Sequence, residues 1–447
     1  MVLAAVLQSL YQTADHFVVS KFSGDHLALA GIASTNSLIS LMVNALAGIS
    51  VGATVAISHS VGAKDEKTVN KAVHTSLFFS LLCGATFMVM GLALSRPALV
   101  WLNTKPELMD KAILYLRIIC IGLPAVAVYN FGAAILRAAG DSKTPLSILT
   151  ISGITNVALN LILVIGFHMS IAGVAIATII SNYVSAIMVM VFLIKRDDCF
   201  KFQLSRFQIE KKILGNVLKY GIPTGLQSSL FAISNIFLAG GLNTLDTVVI
   251  SGKAVSVNIE NICNTAVNNF GTSLITFVGQ NYGAKKPDRI KKSVMIGVLQ
   301  VIICGFVLSM AVFLLREPLA RLFIDPTDEN ADQIAHHAIQ IMTLLVSTDF
   351  LGGMMQAMSG SVRGMGHTAS STIITLIGAC VLRILWVEFI FPLDAMHNAI
   401  GLYLAFPVTW FITTSIQAIF FSFIFGKFKK EVSAEQSQEE LVREAVS

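Results

Sequence analysis

The sequence predicts an all-α integral membrane protein with about twelve transmembrane helices, arranged as two six-helix bundles. Hydrophobic residues make up 55% of the 447 residues and charged residues only 13%, so a soluble protein of this composition could not cover its surface. The apolar residues form long continuous runs, as membrane helices require, and not the alternating pattern of membrane strands. The second half of the chain also repeats motifs of the first half in the same order.

Windows of about 20 apolar residues, the length that crosses a bilayer, mark the helices in chain order. The predicted spans lie near residues 1–20, 28–60, 70–95, 112–138, 144–167, 170–194, 213–241, 246–280, 291–315, 333–362, 368–391 and 398–426. Most Lys and Arg side chains between the spans fall on alternate connections, which the positive-inside rule assigns to the cytoplasm. Both termini are therefore predicted to be cytoplasmic, in a bacterial-type inner membrane.

Two pairs of motifs carry the internal repeat. Residues 61–64 (VGAK) and 282–285 (YGAK) close spans 2 and 8, and residues 137–140 (RAAG) and 363–366 (RGMG) close spans 4 and 10. Because each half has six spans, both halves begin on the same side of the membrane. The repeats are therefore parallel, as in one class of transporters.

The repeat sets the predicted domain organisation. The second half has a basic lead-in over residues 206–219 that the first half lacks, so we expect the first bundle to lack part of its beginning, with a short first helix as the alternative. We expect the tail to be solvated and disordered or loosely helical. The predicted regions are an N-terminal bundle (1–194), a cytoplasmic linker (195–212), a C-terminal bundle (213–426) and a cytoplasmic tail (427–447).

Ionisable residues are costly inside a membrane, so a carboxylate in a span is a candidate for function. Asp15 lies on span 1 among polar neighbours, and Asn156 and Asn160 share a face of span 5 because they are four residues apart. Their oxygens suit a monovalent cation, or a proton with hydrogen-bond partners. For the amide and hydroxyl groups, structural hydrogen bonds between helices are the alternative. The set with its polar neighbours is Asp15, Gln12, Asn156, Asn160, Thr178 and Asn182.

Spans 8 and 10 carry a second candidate site for the coupling ion or the substrate. Glu260 lies near mid-membrane with Asn264 close to its face, and Asp349 lies on span 10, although a helix end or loop is its alternative place. Lys253 precedes Glu260 by seven residues, too far for direct pairing unless a side chain reaches. For Lys253, neutralising Asp246 or another acid near the outer end of span 8 is as open as a role in transport.

Arg383 and Glu388 on span 11 are five residues apart, a poor spacing for pairing with each other, so we expect each to form ion pairs with other helices. The cysteines and histidines show no metal-ligand spacing, and there is no phosphate-binding GxxxxGK[ST] motif. We therefore expect no enzyme activity, no cofactor and no metal site beyond a bound Na⁺. The net charge of +5 comes from the cytoplasmic loops and needs no nucleic acid to explain it.

Asp15 on span 1, residues 135–146 (ILRAAGDSKTPL), the Asn156 and Asn160 pair, and residues 278–286 (VGQNYGAKK) together resemble the multidrug and toxic compound extrusion (MATE) family, NorM- and DinF-like, of the MOP flippase superfamily. The resemblance implies a V-shaped pair of helix bundles that face alternately inward and outward. It also implies export of cationic or amphipathic compounds in exchange for H⁺ or Na⁺. The partners it implies are the small-molecule substrate and the lipid bilayer, and we expect a monomer.

The resemblance also assigns roles to particular residues. Family members often carry Asp at the position of Asn160, so this chain has less negative charge there, and the choice between H⁺ and Na⁺ stays open. Some members use acids of the C-terminal half, which match Glu260 and Asp349. The cation site implied by the resemblance is Asp15, Asn156, Asn160 and Thr178, with Tyr115 and Asn130 as further cavity residues.

Three alternative functions remain. A lipid-linked oligosaccharide flippase of the same superfamily would have more spans and several Arg or Lys side chains in its cavity, for which Lys253 and Arg383 are the candidates. A membrane receptor or scaffold would need soluble signalling domains, and the loops are too short for one. A membrane-embedded enzyme would need clustered catalytic groups.

Overall fold

The computed structural model describes residues 26–102, 104–167, 169–205, 209–324 and 329–446, and within these ranges it contains helices and no strands. The helices are α1 (His26–Gly62), α2 (Glu66–Trp101), α3 (Pro106–Ile121), α4 (Leu123–Ala138), α5 (Lys143–Gly166), α6 (Ser170–Lys195), α7 (Lys211–Leu242), α8 (Thr247–Gly283), α9 (Pro287–Arg321), α10 (Ala331–Gly364), α11 (Thr368–Ile390), α12 (Ala399–Tyr403) and α13 (Ala405–Val446).

The predicted all-α membrane fold is confirmed. Among the described residues, nine helices are long and apolar enough to cross a membrane, and the pair α3–α4, bent by 43°, makes a tenth candidate. Each predicted span from the second to the twelfth corresponds to one helix or to one broken helix pair. The first predicted span lies outside the described residues. The apolar stretch of α8, Thr247–Val257, is shorter than the length that crosses a membrane.

The chain forms two compact units. The first contains the described residues up to Ile57 together with Asp65–Ala232, and the second contains Ser58–Lys64 together with the described residues from Ile233 onward. The division between the units falls within α7, between Ala232 and Ile233. The boundaries that the sequence predicts for the two bundles, the linker and the tail stay a prediction.

The repeated motifs fold alike. Lys64 and Lys285 follow α1 and α8 with φ values of 56° and 54°, a left-handed conformation that is uncommon for residues other than glycine. Gly140 and Gly366 follow α4 and α10 with φ values of 86° and 84°, where glycine has no steric penalty. Equal conformations at equivalent positions support the parallel repeat.

Local chemistry explains where several helices begin, bend and end. Pro124 in the first turn of α4 has no N–H to donate, which explains the break at Gly122 in the span that the sequence predicts as continuous. Asp65 caps α2 by accepting a hydrogen bond from the N–H of Thr68 at 3.0 Å. At the other end of the chain, α13 continues to Val446, and its buried Phe428 packs in the second unit's core.

The connection after α6 is held against α2 by a set of polar contacts. The Asn70 amide donates to the carbonyls of Cys199 and Lys201, both at 3.1 Å. His74 bonds the carbonyl of Asn70 through Nδ1 at 2.9 Å and accepts from the N–H of Gln203 through Nε2 at 3.0 Å. Because a carbonyl only accepts and an N–H only donates, these partners fix the neutral imidazole with its proton on Nδ1.

Helices α8 and α10 form the most extensive helix pair in the second unit. They approach closely because Gly271 and Gly360 carry no side chains at their crossing. A Cβ atom on Gly360 would lie 2.2 Å from the Gly271 carbonyl oxygen, and one on Gly271 would lie 2.6 Å from the Gln356 carbonyl oxygen. Small residues of this kind let membrane helices pack backbone to backbone.

Candidate functional site

A cavity of about 550 Å³ lies in the first unit between α1, α3, α4, α5 and α6. We call it the first-unit cavity. Its lining includes four of the side chains singled out from the sequence: Tyr115, Asn130, Thr178 and Asn182. It also includes polar side chains of α1 that the sequence reasoning missed: Asn36, Ser40 and Asn44. Their spacing of four residues, which places them on one helix face, was a signal that could have found them.

The predicted span 5 and span 6 residues meet beside this cavity. Asn160 donates from Nδ2 to the Asn156 Oδ1 at 3.3 Å, and the Asn156 Nδ2 lies 3.5 Å from the Thr178 Oγ1. Asn156 is 6% exposed and Asn160 is fully buried. The structure therefore gathers three members of the predicted cation site, whereas Asp15 and Gln12 lie outside the described residues. A role in cation binding stays a prediction.

A second cavity, of about 410 Å³, lies in the second unit between α7, α8, α10, α12 and α13. We call it the second-unit cavity. Glu260, Asn264 and Asp349, all predicted from the sequence, line it together with Lys253. The aromatic rings that complete the lining were missed: Tyr403, Phe406 and Trp410. Because the last span is rich in aromatic residues, its sequence held no signal that singled these rings out.

Lys253 and Glu260 form a direct ion pair on α8. The Lys253 Nζ contacts the Glu260 Oε2, and their side chains are only 16% and 13% exposed. The sequence allowed this pairing only if a side chain reached along the helix, and both long side chains extend along the helix toward each other. Ser256 donates to the other carboxylate oxygen of Glu260 at 2.7 Å, and the Lys253 ammonium lies 4.7 Å from the Tyr403 ring centre.

Asp349 lies within α10 and is 5% exposed, so its alternative placement at a helix end or in a loop is wrong. Its Oδ1 accepts a hydrogen bond from Asn264 Nδ2 at 2.9 Å, which joins α10 to α8. Its Oδ2 is buried and has no hydrogen-bond partner among the described residues. A buried carboxylate oxygen without a donor is costly, which marks this atom as a binding point for a ligand or proton.

Arg383 and Glu388 do not form the ion pairs expected from the sequence within the described ranges. Arg383 is 3% exposed and its guanidinium lies 4.1 Å from the Phe406 ring centre, a cation–π contact. Glu388 is exposed on the surface of α11. In the part of the chain that the structure describes, no group of three or more His, Cys, Asp or Glu side chains could hold a metal ion.

Comparison with known proteins finds a family model and relatives that match most of the chain. The family model MatE matches residues 1–162 and again 223–387, in agreement with the internal repeat. The probable multidrug resistance protein YoeA of Bacillus subtilis is 25% identical over 434 residues, which cover 96% of this chain and 92% of that protein. The probable multidrug resistance protein NorM of Thermotoga maritima is 24% identical over 431 residues, covering 95% of this chain and 90% of that protein.

Solved structures show the same fold. An outward-facing multidrug resistance MATE family transporter of the MOP superfamily superimposes with a TM-score of 0.89 at 21% identity, over 96% of this chain and 94% of that one. A MOP superfamily transporter from Pyrococcus furiosus gives the same score, identity and coverage.

Proposed function

We propose a function from one premise: this chain belongs to the MATE (multidrug and toxic compound extrusion) family of membrane transporters. It exports cationic or amphipathic compounds across the cytoplasmic membrane as a secondary active antiporter, in exchange for H⁺ or Na⁺. It works as a monomer, without a cofactor, and both of its termini lie in the cytoplasm. Relatives named as probable multidrug resistance proteins support the export of drugs.

The observation that carries the proposal is the buried polar set beside the first-unit cavity. Asn156, Asn160 and Thr178 supply uncharged oxygens within a membrane-spanning region, where an isolated polar group is costly. The carboxylate that the sequence predicts for this set is that of Asp15 on span 1. With a single carboxylate, one H⁺ or one Na⁺ neutralises the site, so ion binding changes its charge by one unit and thereby drives the transport cycle.

The second-unit cavity supports the cationic character of the substrate. Its two carboxylates, Glu260 and Asp349, attract positive charge, and the rings of Tyr403, Phe406 and Trp410 present apolar faces to an aromatic ligand. Few polar groups in a mainly apolar lining are typical of sites for compact amphipathic molecules. We assign the substrate to this cavity and the coupling ion to the polar set of the first unit.

The alternative flippase function needs positive charges that face a cavity. Lys253 is already paired with Glu260, and Arg383 lies against the ring of Phe406. No observation in the described part of the chain favours that function over drug export.

The test is ethidium transport by the purified protein in proteoliposomes, driven separately by a Na⁺ gradient and by a pH step. One of the two gradients should drive dye movement, and an ionophore that collapses that gradient should stop it. Asp15→Asn and Asn160→Ala should each lose gradient-driven transport. Asn281→Ala is the matched control, because among the described residues the Asn281 amide donates to its own helix, at the Phe277 carbonyl. Full ion-driven export by Asp15→Asn would show that the proposed coupling is wrong.

A further inference from the structure

We propose that Lys253 is an internal counter-charge that restricts the second-unit cavity to ligands carrying one positive charge. The inference rests on the proposed export of organic cations and adds a rule for which cations are accepted. It follows from three charged side chains that face one buried cavity: Lys253, Glu260 and Asp349.

The Lys253 ammonium occupies a position with the chemistry of an organic-cation site. It contacts the Glu260 carboxylate and lies 4.7 Å from the Tyr403 ring centre. A carboxylate next to an aromatic face is the combination that binds ammonium groups of ligands. The chain's own amine therefore neutralises one of the two acids available to a ligand.

Asp349 supplies the second acid of the cavity lining. It is 5% exposed, its Oδ1 is occupied by the Asn264 amide, and its Oδ2 has no hydrogen-bond partner within the described residues. Arg383 does not line the cavity, and its guanidinium lies against the Phe406 ring. With Glu260 cancelled by Lys253, the ionised form of Asp349 leaves one uncompensated negative charge among the described side chains that line the cavity.

The charge count sets the selectivity. A monovalent organic cation brings the cavity to neutrality, whereas a divalent one leaves an excess positive charge buried within the membrane protein. An uncompensated charge in such surroundings is strongly unfavourable, so the divalent cation should bind more weakly. Removing the Lys253 charge frees Glu260, and two acids can then neutralise a divalent ligand.

Ethidium and propidium provide a matched pair of probes, because they share one fluorescent ring system and propidium carries an additional quaternary ammonium group. Binding of each dye is measured by fluorescence titration of the full-length protein in lipid nanodiscs, without any ion gradient. The wild type should bind ethidium more tightly than propidium. Lys253→Met should shift the ratio of the two dissociation constants toward propidium by about tenfold or more, the effect of a unit charge within about 10 Å at an effective dielectric constant near 20.

Three further variants make the interpretation specific. Lys253→Arg keeps the charge and should keep the wild-type preference. Lys219→Met is the matched control, since its ammonium lies 5.9 Å from the Tyr220 ring, outside the cavity. Lys253→Met combined with Glu260→Gln again leaves one uncompensated acid and should restore the wild-type preference. If Lys253→Met alone does not fold, Glu260→Gln should weaken ethidium binding and the double variant should recover it.

An unchanged dye ratio in Lys253→Met overturns the proposal, as does a wild type that binds neither dye. Because binding is measured at equilibrium, this result is separate from the transport test. Gradient-driven export with an unchanged ratio refutes only the role of Lys253. A shifted ratio without ion-driven export refutes only the antiport.

Discussion

Gly360→Ala tests whether the close crossing of α8 and α10 stabilises the second unit. The new Cβ would lie 2.2 Å from the Gly271 carbonyl oxygen, 2.9 Å from its carbonyl carbon and 3.1 Å from its Cα. All three atoms belong to the backbone, so no side chain can rotate away. The helices must separate by about 0.8 Å to bring the shortest contact to about 3.0 Å.

Two costs follow from this separation. Overpacking of a well-packed contact costs about 1–3 kcal/mol. For rigid helices, the same displacement stretches the Asn264–Asp349 hydrogen bond from 2.9 Å to about 3.7 Å, beyond hydrogen-bond distance. Losing the partner of a buried polar group costs about 1–3 kcal/mol more. We therefore expect Gly360→Ala to destabilise the protein by about 1–3 kcal/mol from overpacking, and by more where the Asn264–Asp349 hydrogen bond is also lost.

The assay is thermal unfolding of the detergent-purified protein, followed by size-exclusion chromatography of the fraction that remains folded. Gly215→Ala on α7 is the matched control, because a Cβ atom there would meet nothing within 4 Å. Alanine is favoured over glycine inside a helix by about 0.5–1 kcal/mol, so the control should be as stable as the wild type or more stable. Equal stability of Gly360→Ala and Gly215→Ala would refute the reasoning.

Two further predictions concern the connections between helices. Burial raises the pKa of Asp141. The hydrogen bonds from Thr144 and from the Lys143 N–H, together with the Arg196 charge, outweigh burial, so the pKa lies below its ordinary value of 3.8. A pKa that is lower in the folded protein than in the unfolded chain stabilises the folded state above pH 3.8, and this stabilisation is lost as the pH falls. Asp141→Ala should therefore lower the free energy of unfolding by about 1 kcal/mol at pH 7 and by less at pH 3. Chemical unfolding at the two pH values measures the difference. His74→Phe removes the acceptor of the Gln203 N–H and should speed hydrogen exchange around Gln203, measured by mass spectrometry, whereas unchanged exchange would contradict this contact.

The amino-acid sequence by itself determined the membrane class, the order of the helices from the second span onward and the parallel repeat. These features are local or statistical. Apolar runs of bilayer length form helices wherever they pack, and equal motifs such as those ending in Lys64 and Lys285 adopt equal backbone conformations. The Asn156 and Asn160 contact was predictable for the same reason, because a spacing of four residues makes neighbours on any helix.

Only the tertiary structure decided which polar groups of different helices meet. Asn264 and Asp349 are 85 residues apart, and their hydrogen bond depends on how α8 and α10 are rotated about their axes. The pairing of Lys253 with Glu260 depends on the rotamers of two long side chains, and the contact of Arg383 with Phe406 depends on which face of α13 meets α11. Sequence spacing carries no information on rotamers or helix rotation, since packing against neighbouring helices selects both.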